Sequence, residues 1–249
     1  MRLPTFVSIG TQKGGTTYLY GLLKQHSQVQ MAHPKELHYF SLHYARGLDW
    51  YASHFAASEV ERHYGEVTPY YLFHPLAAER MAKELPDVKL IVLLRDPVER
   101  ALSHYFHSRK LNLEPLGLEA AFAAEETRLA DSYAVLNQGE RHLSHQQHSY
   151  LSRSRYEQQL PRFQASFTPE QLLVLRSEDL FEQPHQVWDQ ILIFLRLTLC
   201  QLPNSVTYSG GSKVVGLPLA FKHQLYIDLQ PTYSIMQEQF NLSWKYSSL

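Results

Sequence analysis

The run Phe6–Gly10 carries no charge. It passes into the turn Gly10–Thr17, read GTQKGGTT, and then into an amphipathic segment with Leu19, Leu22 and Leu23 on one face. A buried strand, a glycine turn and a helix in that order open a strand–helix–strand unit, which commits the chain to a parallel sheet. The turn nearly matches the phosphate loop Gly-x-x-x-x-Gly-Lys-Ser/Thr, with Gly10 and Gly15 at the right separation. Thr16 stands where that loop has its lysine, and a lysine appears instead inside the arc, at Lys13. Backbone N–H groups in such a turn, with the helix dipole behind them, make an anion site on physical grounds alone. The displaced cation poses the question of which anion.

The rest of the chain extends the same pattern. Further strands are expected at 88–95 and 171–176, and helices at 75–86, 97–110, 117–131, 156–167 and 184–197. Residues 30–70 and 200–220, rich in Tyr, His, Gly and Pro, read as loops over the carboxyl ends of the strands, where α/β sheets hold their ligands. The fold class is therefore α/β: a P-loop-containing parallel sheet with helices on both faces. The 249 residues read as one domain, its core over about 5–200 and a loop and helix over 200–249. A net charge of −1 gives no field for nucleic acid or an anionic membrane. The single cysteine, Cys200, leaves no internal disulfide, and the 14 histidines show no metal-binding spacing. No apolar run reaches the roughly 18 residues of a membrane span, so the expected compartment is the cytoplasm.

The segment LLRDPVERALSHY, 93–105, carries the second signal. A magnesium-dependent phosphotransferase commonly ends a buried strand in a carboxylate that helps hold the metal. This strand ends in a cation, Arg95. Asp96 before Pro97 reads as a helix N-cap with proline at the first helical position. Arg95 would then point from the strand end, with Ser103 two turns into the helix. A guanidinium and a hydroxyl suit a phosphate monoester.

Together the two segments resemble the 3′-phosphoadenosine 5′-phosphosulfate (PAPS)-dependent sulfotransferases, in the branch of the heparan sulfate sulfotransferases and related bacterial enzymes. The likeness rests on Gln12–Thr17 and on Leu94, Arg95, Asp96, Pro97, Arg100, Ala101, Ser103 and Tyr105. Echoes at KELHYFS (35–41), EVTPYYL (66–72), YLSRSRYEQQLPRF (150–163) and QLLVLRSEDL (171–180) carry it over about 5–200. The resemblance implies that Gln12, Lys13, Gly14, Gly15, Thr16 and Thr17 hold the 5′-phosphosulfate. It implies that Arg95 and Ser103 hold the 3′-phosphate, with Tyr156 also on the donor. A phosphosulfate needs no metal, because Lys13 and backbone donors can neutralise the bridging oxygen as the sulfuryl group departs. The family's glutamate base falls on Glu36, in ELHYF, with His38 beside it.

The chain departs from the family at three places. Val67 stands where heparan-acting relatives carry a lysine, and Ser154 where a glycine is usual. GGSKVVGLP, 210–218, would be a shortened counterpart of the family's basic C-terminal loop, with Lys213 reaching donor or acceptor. The missing cation argues against heparan sulfate itself and leaves a small alcohol, glycan, lipid or carrier-bound hydroxyl. Tyr39, Tyr70 and Tyr71 read first as packing residues; lining a cleft, they would suit a sugar or apolar acceptor. Two other readings stand beside this one. A P-loop kinase would need magnesium and ATP, and an inactive nucleotide-binding scaffold would lack a placed base.

Overall fold

A computed structural model of the chain describes residues 2–55, 63–203 and 218–244. Its strands are β1 (Phe6–Gly10), β2 (Val29–Met31), β3 (His63–Val67), β4 (Lys89–Leu94) and β5 (Leu172–Arg176). The helices in chain order are α1 (Thr16–Lys24), α2 (Tyr39–Leu42), α3 (Leu48–Ala52), α4 (Ala77–Glu84), α5 (Pro97–Lys110), α6 (Leu118–Ala123) and α7 (Glu125–Leu129). There follow α8 (Ser132–Asn137), α9 (Leu143–Gln147), α10 (Leu160–Gln164), α11 (Asp179–Glu182), α12 (Pro184–Leu195), α13 (Leu219–Asp228) and α14 (Gln230–Phe240). The described residues fall into two compact units, one drawn from 1–94 and 162–208 and the other from 95–161 and 209–249.

The first unit holds the sheet, five parallel strands in the order β2-β3-β1-β4-β5, flanked by helices. From β1 the chain runs out to one edge through β2 and β3, then returns to β4 and β5 on the other side. That reversal makes the carboxyl end of β1 the switch point of the topology. Phe6, Val67, Ile91, Leu93 and Leu175 turn to one face, where Leu19, Leu22 and Leu23 of α1 close over them. Trp188, Ile191 and Leu192 of α12 complete that cover. Burying each of these large side chains is worth about 1.5–3 kcal/mol, so this layer fixes where β1 ends and its loop begins. The alternate residues Val7, Ile9, Leu90 and Val92 are buried on the other face. Glu66, in register with Val7, shares it.

Two strands fall in or at the start of 30–70, which the sequence presents as loops. β2 has only three residues, too few for an alternation to register. β3, HYGEV, has a glycine and an acid at its centre, both poor strand formers. Gly65 is required there, because a Cβ on it would stand 2.1 Å from the Phe6 ring.

The second unit is helical. Val98, Ala101, Leu102 and Tyr105 of α5 pack with Phe122, Tyr150, Leu225 and Leu229. The single helix expected over 117–131 is broken at Ala124 into α6 and α7. The break adjoins Glu125, whose buried carboxylate accepts from the amides of Leu151 at 2.7 Å and Ser152 at 2.8 Å. The helix expected over 156–167 starts instead as a 3-10 turn at Tyr156–Gln158. There the Gln159 side-chain amide donates to the carbonyls of Ser152, Arg153 and Arg155, competing with regular helix.

Candidate active site

The glycine turn after β1 is held from below. The Thr11 amide donates to Leu93 O at 2.8 Å and the Gly14 amide to Thr11 O at 3.0 Å. The Ser177 hydroxyl donates to Gly14 O at 2.9 Å. A Cβ on Gly14 would meet Leu93 O at 2.7 Å, so the turn sits directly on the end of β4. Gly15 begins α1 at φ 84° and supplies no side-chain cap. The amides of Gly15, Thr16 and Thr17 therefore lie at an uncapped helix start, the arrangement that takes an anion. Thr16 is buried and Thr17 exposed, while Lys13 and Gln12 are half-buried on the arc.

Lys13 has φ 72°, in the left-handed region that residues with a Cβ enter at a cost of about 1–2 kcal/mol. Glu36, at φ 65°, and His38, at φ 55°, share that conformation. All three residues singled out as catalytic thus hold strained backbone, a pattern that concentrates at functional sites. Glu36 and His38 belong to the segment beyond β2. The Ala32 amide donates to Gly65 O at 2.8 Å and the Glu36 amide to Val67 O at 3.1 Å, so this segment crosses the carboxyl end of β3. β3 adjoins β1, and both the Lys13 turn and the Glu36 segment lie at the carboxyl edge of the sheet.

The Glu36 carboxylate is partly exposed and cation-bound. Lys35 Nζ donates to Oε1, and His38 Nε2 stands 3.7 Å from Oε2. Burial pushes its pKa up, but the neighbouring His38 and the charge and bond of Lys35 outweigh that and hold it at about 2. Glu36 is therefore ionised at neutral pH, with Oε1 occupied and Oε2 the freer oxygen. His38 Nδ1 lies 3.2 Å from Ser41 Oγ, which fixes the ring's direction.

In the second unit Asp96 caps α5 as its sequence indicates, accepting from the Glu99 amide at 2.9 Å with Pro97 in the first turn. The Tyr233 hydroxyl also donates to that carboxylate, 3.1 Å from each oxygen. Arg95 is half-buried just before the cap. Ser103 is half-buried two turns into α5, and its hydroxyl has no protein partner among the described residues. Tyr156 is buried and its hydroxyl donates to Arg95 O at 2.8 Å. That bond fixes the Arg95 carbonyl at the end of β4. Ser154, where the family has a glycine, accepts from Arg100 Nε at 2.6 Å and donates to Pro97 O at 2.7 Å. Lys213 lies outside the described residues.

The tyrosines resolve in favour of packing. Tyr39, Tyr70 and Tyr71 are all buried, Tyr39 stacking on Tyr51 at 4.5 Å between ring centroids. Three supporting residues escape a reading of the sequence alone. Ser177 pins the turn; Phe181 lies 3.0 Å from where a Gly15 Cβ would stand; and Glu66 is fully buried within β3. Ser177 and Phe181 sit in the SEDLF run after β5, and their direction toward the turn has no signature in spacing.

The comparisons agree with this geometry. The Sulfotransferase domain family matches residues 3–207. The human bifunctional heparan sulfate N-deacetylase/N-sulfotransferase 3 is 33% identical over 205 residues, covering 78% of this chain and 22% of that protein. The membrane-associated sulfotransferase kil1 of Dictyostelium discoideum is 47% identical over 109 residues, 43% of this chain and 23% of kil1. The chain thus spans less than a quarter of the length of either curated relative. A crystal structure of a sulfotransferase from Alicyclobacillus acidocaldarius superposes with a TM-score of 0.81 at 26% identity, covering 98% of both chains. With the family matched over most of its length and the phosphate turn built as described, the chain belongs to the sulfotransferase family.

Proposed function

We propose that the chain transfers a sulfuryl group from PAPS to a hydroxyl or amine, without a metal. The observation that carries the reading is the uncapped start of α1 with Lys13 in the arc of the turn. The amides of Gly15, Thr16 and Thr17 and the Lys13 ammonium suit the 5′-phosphosulfate, and Arg95 with Ser103 suits the 3′-phosphate. Glu36 is the base. As the acceptor oxygen bonds to sulfur, the bond from sulfur to its bridging oxygen breaks. Glu36 Oε2 takes the acceptor proton, and Lys13 offsets the charge left on the bridging oxygen. His38 orients the carboxylate. Lys213 is assigned to the donor or acceptor side by resemblance alone.

The acceptor is narrowed by charge. Val67 is buried in the core where heparan-acting relatives carry lysine, and the net charge is −1. A small or carrier-bound acceptor fits this better than a polyanion. Among the described residues no helix is long and apolar enough to cross a membrane. We keep the cytoplasm as the proposed compartment, to be tested by fractionation against membranes, since one relative is named membrane-associated.

Calorimetry tests the donor site. Binding of 3′-phosphoadenosine 5′-phosphate in EDTA is expected to be tight in the wild type and at least tenfold weaker in Arg95→Ala. Preference for magnesium-ATP, or indifference to Arg95, would replace this reading with a kinase or a scaffold.

A further inference from the structure

Glu66 is the most deeply buried carboxylate of the sheet unit, at 0% exposure, and none of its hydrogen-bond partners is a cation. Its Oε1 accepts from Thr68 Oγ1 at 2.6 Å and from the Tyr71 hydroxyl at 2.8 Å; its Oε2 accepts from the Tyr51 hydroxyl at 2.5 Å. An ionised carboxylate is acceptor-only, so in that form of Glu66 each of the three hydroxyl protons is committed to it. The lone pairs of Thr68 and Tyr71 are then turned outward, and both are used. The His38 amide donates to Thr68 Oγ1 and the Phe40 amide to the Tyr71 hydroxyl, each at 3.4 Å.

These two amides, with that of Glu36 on Val67 O, are the points at which backbone N–H groups of the segment that bears Glu36 and His38 are tied to β3 and the residues after it; Arg80 holds the Phe40 carbonyl from another side, at 3.1 Å. The segment needs them. Two of its residues are left-handed, and α2, which follows, has no cap from its own N-cap side chain. A hydroxyl whose proton had no fixed acceptor could rotate its lone pairs away from those amides. With Glu66 in place it cannot.

We propose that Glu66 is a positioning residue: its buried carboxylate orders the Thr68 and Tyr71 hydroxyls as acceptors, and these hold the left-handed Glu36–His38 turn at the carboxyl edge of the sheet. The inference rests on the reading of Glu36 as base. It assigns the strain of that turn to a built support, so that the freer oxygen of Glu36 is presented in one direction.

Hydrogen exchange followed by mass spectrometry on the full chain tests it, with labelled PAPS turnover to water as a second readout. Glu66→Gln keeps the volume but gives one donor in place of an acceptor, and Thr68→Val removes the linking hydroxyl with little change of shape. Each is expected to speed exchange across 36–40 about tenfold or more. Amides of β1 and β4 and the affinity for 3′-phosphoadenosine 5′-phosphate should stay within twofold of wild type. The double variant should exchange no faster than the faster single one, because the two residues act through one chain of bonds. Turnover number should fall as exchange at 36–40 rises, while KM for PAPS holds. Unchanged exchange at 36–40, or multiplying effects in the double variant, would overturn the proposal. If Glu66→Gln does not fold, Thr68→Val and Tyr71→Phe decide it by the same criteria. Glu36→Gln separates the two readings: full turnover in that variant removes Glu36 as base and leaves the exchange result to judge the support alone.

Discussion

Glu36 and Glu66 meet the same sheet edge under opposite conditions. Glu36 has 42% of its side chain exposed and is held by Lys35 and His38. Glu66 is fully buried among three hydroxyls. Burial raises the pKa of both. At Glu36 the bonds and charges of cations overcome it and bring the value to about 2, whereas at Glu66 three neutral donors do not, and the pKa stays raised. The comparison teaches that here the kind of partner, more than depth alone, decides what a carboxylate can do. A carboxylate that is partly exposed, with one oxygen left freer, can exchange partners and accept a proton. One locked into hydroxyls can only hold other groups in place.

The largest effect that could break this division is on turnover. Glu36→Gln should cost about 10²–10⁴-fold in sulfuryl transfer with donor affinity unchanged, as loss of a base does. Equal loss from Glu66→Gln with normal exchange at 36–40 would instead make the buried acid a second participant. Next in size is stability. Glu66→Ala strands three buried hydroxyls, and at about 1–3 kcal/mol for each group left unpaired it should lower the urea midpoint far more than Glu36→Ala, whose partners reach water. Smaller again is Lys35→Ala. It removes two of the influences that hold Glu36 down, so the carboxyl should titrate above 2, as carbon NMR of that group would read directly. A Glu36 pKa unmoved by that change would give the whole effect to His38.

Of the two acids, only Glu36 is given a role by the sequence, and only through the resemblance of ELHYF to the family's segment; by itself it reads as a solvated loop acid, and Glu66 lies in the EVTPYYL echo with no role attached. The phosphate turn is legible without help, because the spacing of Gly10 and Gly15 between a strand and a helix carries its own physics. So is the α5 cap, where Asp96 before Pro97 forms as the dipeptide predicts. β3 is not legible. Its centre, Gly65 and Glu66, contradicts strand propensity for two separate reasons: the Phe6 ring needs the space, and the acid has partners at Tyr51 and Tyr71 that only the folded chain brings to it. Ser177 and Phe181 are hidden likewise, since their contacts with Gly14 and Gly15 join segments far apart in the chain.

The smallest effect is the one that tests the comparison by sign. The folded pKa of Glu36 lies below the ordinary 4.5, so its stabilising contribution is present above that value and is lost as pH falls toward 2. For Glu66 the folded pKa is raised, and the sign reverses: folding favours its protonated form, and stability declines as pH rises from 4.5 through the folded value. Glutamine cannot titrate, so each Gln variant lacks its own slope. The stability deficit of Glu36→Gln relative to wild type should therefore grow between pH 2 and 4.5. That of Glu66→Gln should shrink as pH rises above 4.5, because the wild type alone carries the cost of the buried charge. Tyr51, whose pKa stands well above 10 through burial and the neighbouring Glu66, contributes no slope in this range. Urea midpoints of the three proteins across pH 3 to 8 read both trends. A Glu66→Gln deficit that is flat with pH would mean that the three hydroxyls solvate the carboxylate as well as water does, and the contrast between the two acids would then rest on exposure alone.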